Sequence, residues 1–194
     1  SHDGIGLRPA KGLLNKEEIK IITDTMQSFG GEISWRTGAD GTDRPYEVNI
    51  TLFSALQGTI EGKDDYAEDR FICAHVIMLA LEGIPAFYIH SLLATSNDYE
   101  RYSITRRKRS INRRQWNIDE IKQILADPDS PSARIHQRLI DIIKIRKKQS
   151  AFHPNATQFT LHLGDKLFGF WRQSMDRSQS IFSISNITKQ PQTL

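Results

Sequence analysis

Residues 65–90, DYAEDRFICAHVIMLALEGIPAFYIH, contain the pattern that decides the fold class. From Asp65 to Leu81 the apolar residues are dense enough for a long buried helix, which Gly83 and the following Pro85 should end. The run from Pro85 to His90 is short, apolar and suited to a strand that is buried on both faces. Because a helix followed by a buried strand is typical of α/β domains, the sequence predicts an α/β fold.

Further helices and strands are predicted on both sides of this stretch. Asn15 and Glu18 have the spacing of a capping box, and the helix that they start should end at Gly30. Asn117 should cap a short helix in the same way, and an apolar stripe predicts another helix over residues 132–149. After residue 153 apolar and polar residues alternate, which predicts three β-strands with a hairpin turn at Gly164.

Two long polar segments interrupt this pattern, at residues 32–48 and 91–116. Both are predicted to be loops, the first because it is rich in Gly, Asp, Thr and Arg, and the second because it is polar and carries a run of arginines. Loops of this length inside a compact domain are more often functional than connective. Residues 50–56 form a short apolar segment that could be helix or strand.

Composition excludes several classes of protein. A net charge of +3 and an isoelectric point near 9.0 are too mild to indicate a nucleic-acid partner. Cys73 is the single cysteine, so no disulfide can form within the chain, and a reducing compartment fits. The longest apolar run is shorter than the roughly 20 residues that a membrane span needs. We therefore expect a cytoplasmic protein without nucleic-acid or membrane partners.

Two short motifs invite functional interpretations but are ambiguous by themselves. His2-Asp3 could be a surface turn, or Asp3 could stabilise a positive transition state while His2 binds a substrate hydroxyl. No further metal ligands follow within a helical turn, so no metal site is predicted. The basic run from Thr105 to Ser110 could bind nucleic acid, but it lacks interleaved aromatic residues. Most of its arginines are therefore assigned to a solvated loop.

Four segments in a fixed order resemble a known enzyme family. They are Ser1-His-Asp-Gly-Ile-Gly-Leu-Arg8, Pro45-Tyr-Glu-Val-Asn-Ile50, Gly83-Ile-Pro-Ala-Phe-Tyr-Ile-His-Ser-Leu-Leu93 and Arg109-Ser-Ile-Asn-Arg113. Their order and spacing resemble the C-terminal half of the sucrose phosphorylase-like glucoside phosphorylases of the α-amylase superfamily. The resemblance extends over essentially the whole chain.

This resemblance implies a (β/α)₈ barrel with its active site at the C-terminal ends of the strands. Residues 1–151 would be the C-terminal portion of that catalytic barrel, from the tip of strand seven to helix eight. Residues 85–90 would be strand eight, and residues 152–194 would start a small all-β domain.

The family's chemistry is a retaining double displacement on an α-glucoside, with inorganic phosphate as the second acceptor. Asp3 matches the acid that stabilises the transition state, and His2 matches a histidine that binds glucose hydroxyls. Arg109 matches an arginine that lines the glucose pocket. No position matches the family's nucleophile or acid/base residue, so we expect the 194 residues alone to be inactive.

The segment 36–49 matches a mobile loop that shapes the acceptor site in this family. Tyr46 agrees with the family pattern, whereas Glu47 stands where sucrose phosphorylases carry glutamine and Arg44 where they carry an acidic residue. Glu47 could accept hydrogen bonds from acceptor hydroxyls. Arg44 could bind a carboxylate or phosphate, or could simply point to solvent. This version looks closer to relatives that act on sucrose 6-phosphate or glucosylglycerate.

The resemblance therefore implies phosphorolysis of sucrose, sucrose 6-phosphate or glucosylglycerate to glucose 1-phosphate, without a cofactor. The partners would be the α-glucoside and inorganic phosphate. The compound released, which is the acceptor in the reverse reaction, would be fructose, fructose 6-phosphate or glycerate. Two alternatives stay open. One is a hydrolase or transglucosidase of the same superfamily, and the other is a non-catalytic binding or accessory protein.

Overall fold

The computed structural model describes residues 4–193. These residues form two compact units, one running to Phe71 and then including Phe87–His136, and the other formed by Ile72–Ala86 and the residues from Gln137 onward. The predicted domain boundary at residues 151 and 152 stays a prediction. Within residues 4–193, no helix has both the length and the apolar character that crossing a membrane requires.

Helices and short strands are mixed in the first part of the chain, successive helices occupy the middle, and three strands come last. The α-helices are α1 (Lys16–Ser28), α2 (Leu52–Ala55), α3 (Ala67–Ala80), α4 (Ile89–Leu92), α5 (Tyr99–Thr105), α6 (Ile118–Ala126) and α7 (Pro131–Lys147). The strands are β1 (Ile5–Gly6), β2 (Glu32–Thr37), β3 (Asp43–Asn49), β4 (Gly58–Thr59), β5 (Gly62–Lys63), β6 (Thr157–Leu161), β7 (Leu167–Gln173) and β8 (Ser180–Asn186). The fold is thus mixed α/β, and its described strands pair antiparallel, so the (β/α)₈ barrel stays a proposal.

Several helix predictions are confirmed. Asn15 caps α1 by accepting from the Glu18 backbone N–H at 2.9 Å, while the Glu18 carboxylate accepts from the Asn15 N–H at 2.7 Å. Asn117 caps α6 by accepting from the Asp119 N–H at 2.9 Å, so the cap is present without the predicted reciprocal contact from Glu120. The helices α3 and α7 agree with the predicted ones to within two residues at each end.

The loop predicted over residues 32–48 is wrong, because this segment is an antiparallel hairpin. Strand β3 lies between β1 and β2 in a three-stranded sheet. Ile33 and Val48 face each other across β2 and β3 and are fully buried, and they join a core completed by Leu7, Phe29, Ile50 and Ala55. The glycines and aspartates that suggested a loop are concentrated in the turn between the strands, where Gly41 has a positive φ of 74°.

The strand predicted over residues 85–90 is also wrong. Residues 85–88 have no regular structure, and α4 begins at Ile89. An apolar run becomes a strand only where a neighbouring strand accepts its backbone hydrogen bonds, and no described strand pairs with this one. The polar segment 91–116 is likewise more ordered than predicted. It contains α5 and a 3₁₀ helix, Lys108–Asn112, with Asp98 capping α5 at 2.9 Å.

The three strands predicted near the end of the chain are confirmed. They form an antiparallel sheet in the order β6-β7-β8, and Phe159, Trp171 and Phe182 stand opposite one another across it. Gly164, with a φ of 76°, lies in the turn between β6 and β7 as predicted. Next to Trp171 on β7, Arg172 is completely buried.

Gly30 permits the close packing between the end of α1 and Tyr99, and we expect Gly30→Ala to destabilise the protein. A Cβ at this position would overlap the Tyr99 hydroxyl and lie 3.0 Å from Cζ, and the φ of 87° disfavours alanine. Gly41→Ala is the matched control, because Gly41 also has a positive φ but a Cβ added there would have no neighbour within 4 Å. Urea unfolding should show Gly30→Ala to be less stable than the control by about 1–3 kcal/mol.

Tyr99→Phe provides a second check on this explanation. Removing the hydroxyl removes the atom that the added Cβ would overlap most. Gly30→Ala should therefore lower the free energy of unfolding by less when residue 99 is phenylalanine. Equal losses for Gly30→Ala with and without the hydroxyl would show that the backbone conformation, rather than the overlap, limits this position.

Candidate functional site

The predicted site residues fall into two groups. His2 and Asp3 lie outside the described residues. Tyr46, Glu47 and Arg44 lie on β3, and Arg109 lies on the 3₁₀ helix Lys108–Asn112. Among these four, the structure brings Glu47 and Arg109 together.

Glu47 and Arg109 form an ion pair although they are far apart in the sequence. The Nε and Nη2 atoms of Arg109 both lie 3.1 Å from Oε2 of Glu47. The Glu47 side chain is only 8% exposed, whereas the Arg109 side chain is 48% exposed. The buried carboxylate therefore anchors the guanidinium, which keeps an accessible surface and N–H groups available to a ligand.

Tyr46 occupies an irregular position in the hairpin beside this pair. Ser34 is opposite Glu47 and Trp35 is opposite Pro45, so Tyr46 is the extra residue of a β-bulge. Pro45 supplies a reason, because proline has no N–H for the ladder and is common at such irregularities. The Tyr46 side chain is 39% exposed. Bulges often redirect side chains next to binding sites, and here the bulge immediately precedes Glu47.

Arg44 makes a local ion pair of its own, separate from the one between Glu47 and Arg109. Its guanidinium pairs with the Asp40 carboxylate, and both side chains are about half exposed. Hydrogen bonds from Thr42 are the main cause of a lowered Asp40 pKa, and the charge of Arg44 adds to it. The contact holds the Arg44 side chain against Asp40 in the turn between β2 and β3. Its proposed binding of an anionic acceptor stays a prediction.

A cavity of about 490 Å³ lies beside the ion pair, and five of its lining residues are cationic. It is lined by Ser34, Arg101, Arg107, Lys108, Arg109, Ser110 and Arg113. The Lys108 ammonium is anchored by donating to the Ile33 carbonyl at 2.7 Å, with Glu32 at 3.9 Å. A cavity of this size is in the range of small-molecule sites.

Sequence reasoning missed this cavity because it placed most of the basic run in a solvated loop. That interpretation describes Arg106, which is exposed and does not line the cavity. The 3₁₀ helix turns Arg107, Lys108 and Arg109 back towards Arg101 of α5 and Ser34 of β2. Only the fold brings these segments together, so no local pattern in the sequence could have shown it.

Two histidines of the described chain are buried. His75 and His90 are 3% and 7% exposed. Burial lowers the pKa of His90, and the nearby charge of Arg114 lowers it further. Among residues 4–193 no group of three or more His, Cys, Asp or Glu residues is arranged to hold a metal ion.

Individual known proteins, compared by sequence and by structure, resemble this chain. No protein-family model matches the chain. It is 38% identical over 161 residues to a glucosylglycerate phosphorylase from Escherichia coli K12, covering 83% of this chain and 28% of that protein. It is 36% identical over 198 residues to a glucosylglycerate phosphorylase from Allomeiothermus silvanus, covering 95% of this chain and 35% of that protein.

A solved structure agrees with these sequence matches. The crystal structure of sucrose 6F-phosphate phosphorylase from Thermoanaerobacter thermosaccharolyticum superimposes with a TM-score of 0.76 and 26% sequence identity. The match covers 97% of this chain and 38% of that one. The chain spans about a third of the length of the relatives it matches.

Proposed function

The chain belongs to the glucoside phosphorylase family that includes glucosylglycerate and sucrose phosphorylases, and from this premise we propose that it forms part of a retaining glucosyltransferase. The reaction transfers the glucosyl group of an α-glucoside to inorganic phosphate and yields glucose 1-phosphate. No cofactor takes part.

The observation that carries this proposal is the Glu47–Arg109 ion pair, in which a buried carboxylate holds a half-exposed guanidinium. A forked donor held in this way suits the binding of sugar hydroxyls, and Arg109 matches an arginine that lines the glucose pocket in the family that the sequence resembles. The cationic cavity beside it suits a reaction whose second substrate is phosphate and whose product is a phosphate ester.

The chemistry proceeds by two displacements at the anomeric carbon. First, an enzyme carboxylate attacks this carbon as the glycosidic bond breaks and an enzyme acid protonates the departing oxygen. Phosphate then attacks the same carbon, the bond to the enzyme carboxylate breaks, and the proton of the attacking phosphate returns to the enzyme acid as glucose 1-phosphate leaves. No residue of the 194 is assigned as the nucleophile or the acid. Asp3 stabilises the oxocarbenium-like transition states, and His2 and Arg109 hold the glucose hydroxyls.

Among possible substrates, glucosylglycerate is the first candidate. The glucosylglycerate phosphorylases are 32–38% identical to this chain, whereas the sucrose 6F-phosphate and sucrose phosphorylases are 29–31% identical. Glu47 and Arg44 also depart from the pattern of sucrose phosphorylases. Sucrose 6-phosphate and sucrose are the other two candidates.

A substrate screen tests this proposal, using the protein expressed from its complete gene. Glucosylglycerate, sucrose 6-phosphate and sucrose are each incubated with inorganic phosphate, and glucose 1-phosphate and free glucose are measured separately. Phosphate-dependent glucose 1-phosphate formation from at least one substrate is expected. Free glucose at a rate independent of phosphate would instead favour a hydrolase, and inactivity on all three would favour the non-catalytic alternative.

Arg109→Ala should lower kcat/KM for every α-glucoside that the enzyme uses. Losing a charge-assisted contact of about 1.5–3 kcal/mol corresponds to a roughly ten- to hundredfold fall in kcat/KM. Arg109→Lys is the control that keeps the charge and an ion pair with Glu47 but removes the fork, and it should recover only part of the loss. A loss confined to one acceptor class would contradict the placement of Arg109 in the glucose pocket.

A further inference from the structure

The cationic cavity contains guanidinium groups without carboxylate partners in the described part of the chain. Arg109 is paired with Glu47, and Lys108 lies near Glu32. By contrast, the side chains of Arg101 and Arg107 make no hydrogen bond or ion pair within residues 4–193. The Nε atom of Arg101 is enclosed and has no acceptor. Two guanidinium groups without acceptors on the wall of one cavity can both pair with an oxyanion bound there.

The cavity gathers a specific subset of the basic residues in segment 101–114. Arg106 and Arg114 do not line it. Arg114 stacks on Trp116 at 4.1 Å and lies 3.6 Å from a carboxylate oxygen of Glu120. A solvated basic loop would spread its charges outward. Here Arg101 and Arg107 converge with Lys108 on one space, and their mutual repulsion would be relieved by a bound anion.

The size and position of the cavity indicate what the anion is attached to. A volume of about 490 Å³ is far larger than a single ion needs and falls within the range for organic ligands. Arg109, the proposed glucose-binding residue, lines the same cavity. A ligand with its sugar at Arg109 can therefore place a charged group against Arg101 and Arg107.

We propose that Arg101 and Arg107 bind the oxyanion carried by the non-glucosyl part of the substrate, a carboxylate or a phosphate monoester. This inference rests on the proposed function and adds the determinant of its acceptor preference. Arg101 and Arg107, rather than Arg44, would then bind the anionic group of the acceptor. Arg44 is paired with Asp40 and does not line the cavity. Ser110, whose hydroxyl lies 2.7 Å from that of Thr105, adds a neutral polar group to the same wall.

Neighbouring arginines provide the test. Arg107→Gln removes a charge that lines the cavity, and Arg106→Gln removes the same charge one residue away; both residues are exposed, but Arg106 does not line the cavity. The kcat/KM values for glucosylglycerate, sucrose 6-phosphate and sucrose are measured for the protein from the complete gene. The two charged substrates are separate arms, since one carries a carboxylate and the other a phosphate monoester.

Arg107→Gln should lower kcat/KM by roughly ten- to hundredfold more for a charged substrate than for sucrose. The charged substrate that shows this difference identifies the oxyanion. Arg106→Gln should change the ratio of charged to neutral substrates by less than about twofold, because Arg106 does not line the cavity and its charge reaches the ligand only through salt-screened solvent. Equal losses on charged and neutral substrates, or equal effects of the two variants, would overturn the inference.

Direct binding separates this inference from the proposed function. Calorimetric titration with glycerate and with fructose 6-phosphate should show binding that Arg107→Gln and Arg101→Gln weaken and Arg106→Gln leaves unchanged. Glycerol and fructose are the neutral controls. If no substrate is phosphorolysed but this pattern of binding is seen, the proposed function fails and the anion site stands. If phosphorolysis occurs and none of the variants alters anion binding, the site fails and the function stands.

Discussion

Replacing Arg172 with leucine should lower the free energy of unfolding by about 3–5 kcal/mol, because it leaves buried carbonyl groups without donors. The Arg172 guanidinium donates to four backbone carbonyls and has no accessible surface. The acceptors are Ala80 at 2.7 Å, His153 at 3.1 Å, Ala156 at 3.3 Å and Thr157 at 3.4 Å. Burial lowers the pKa of Arg172, and the nearby charge of Arg146 lowers it further.

Urea unfolding of the purified protein measures this effect, with Lys148→Leu as the control. Lys148 is an exposed cation in the same compact unit, so its replacement should change stability by less than about 0.5 kcal/mol. Arg172→Lys keeps a charge but cannot reach four carbonyls at once, and it should be intermediate. A leucine variant as stable as the wild type would mean that the carbonyls find other donors and that Arg172 does not organise this unit.

Replacing Asp3 with asparagine should lower kcat by roughly 10²–10³-fold in the enzyme expressed from its complete gene. The reason is that a carboxylate stabilising the positive charge of an oxocarbenium-like transition state acts mainly on that state, so its loss appears in kcat. The change in KM should be modest by comparison. Asp3 itself lies outside the described residues, and the prediction rests on its match to the family's transition-state acid.

Asp165→Asn is the matched control for this experiment, since it makes the same chemical change on an exposed turn of the β6-β7-β8 sheet. Its turnover should equal that of the wild type. Near-normal turnover in Asp3→Asn would remove Asp3 from the catalytic residues. A large rise in KM with unchanged kcat would instead assign it to ground-state binding of the glucosyl group.

Elements whose signals are local were predicted well. The cap of α1 depends on Asn15 and Glu18, which are three residues apart, and the strands β6 to β8 show regular alternation. The hairpin of β2 and β3 was missed because its turn is rich in glycine and aspartate and because Pro45 and the charged residues of β3 weaken the strand pattern. Residues 85–90 have the composition of a buried strand, but pairing with another strand is a tertiary property that composition does not report.

The candidate site was predictable only where a family resemblance supplied the position. Glu47 and Arg109 are 62 residues apart, and no periodicity relates them. Their roles came from matching segments, and the structure adds that their side chains form an ion pair. The cavity is lined by Ser34 and by residues from 101 to 113, so its existence depends on how β2, α5 and the 3₁₀ helix pack. The basic run could therefore be noticed in the sequence but not placed.

The proposed function is a retaining transfer of glucose from an α-glucoside to inorganic phosphate by the enzyme to which this chain contributes. It is tested most directly by nuclear magnetic resonance of the reaction mixture, using the protein from the complete gene with glucosylglycerate and phosphate. Two successive displacements at one carbon preserve its configuration, so the α-anomer of glucose 1-phosphate should accumulate from the first turnover. Accumulation of β-glucose 1-phosphate, or of free glucose in place of the phosphate ester, would contradict the claim.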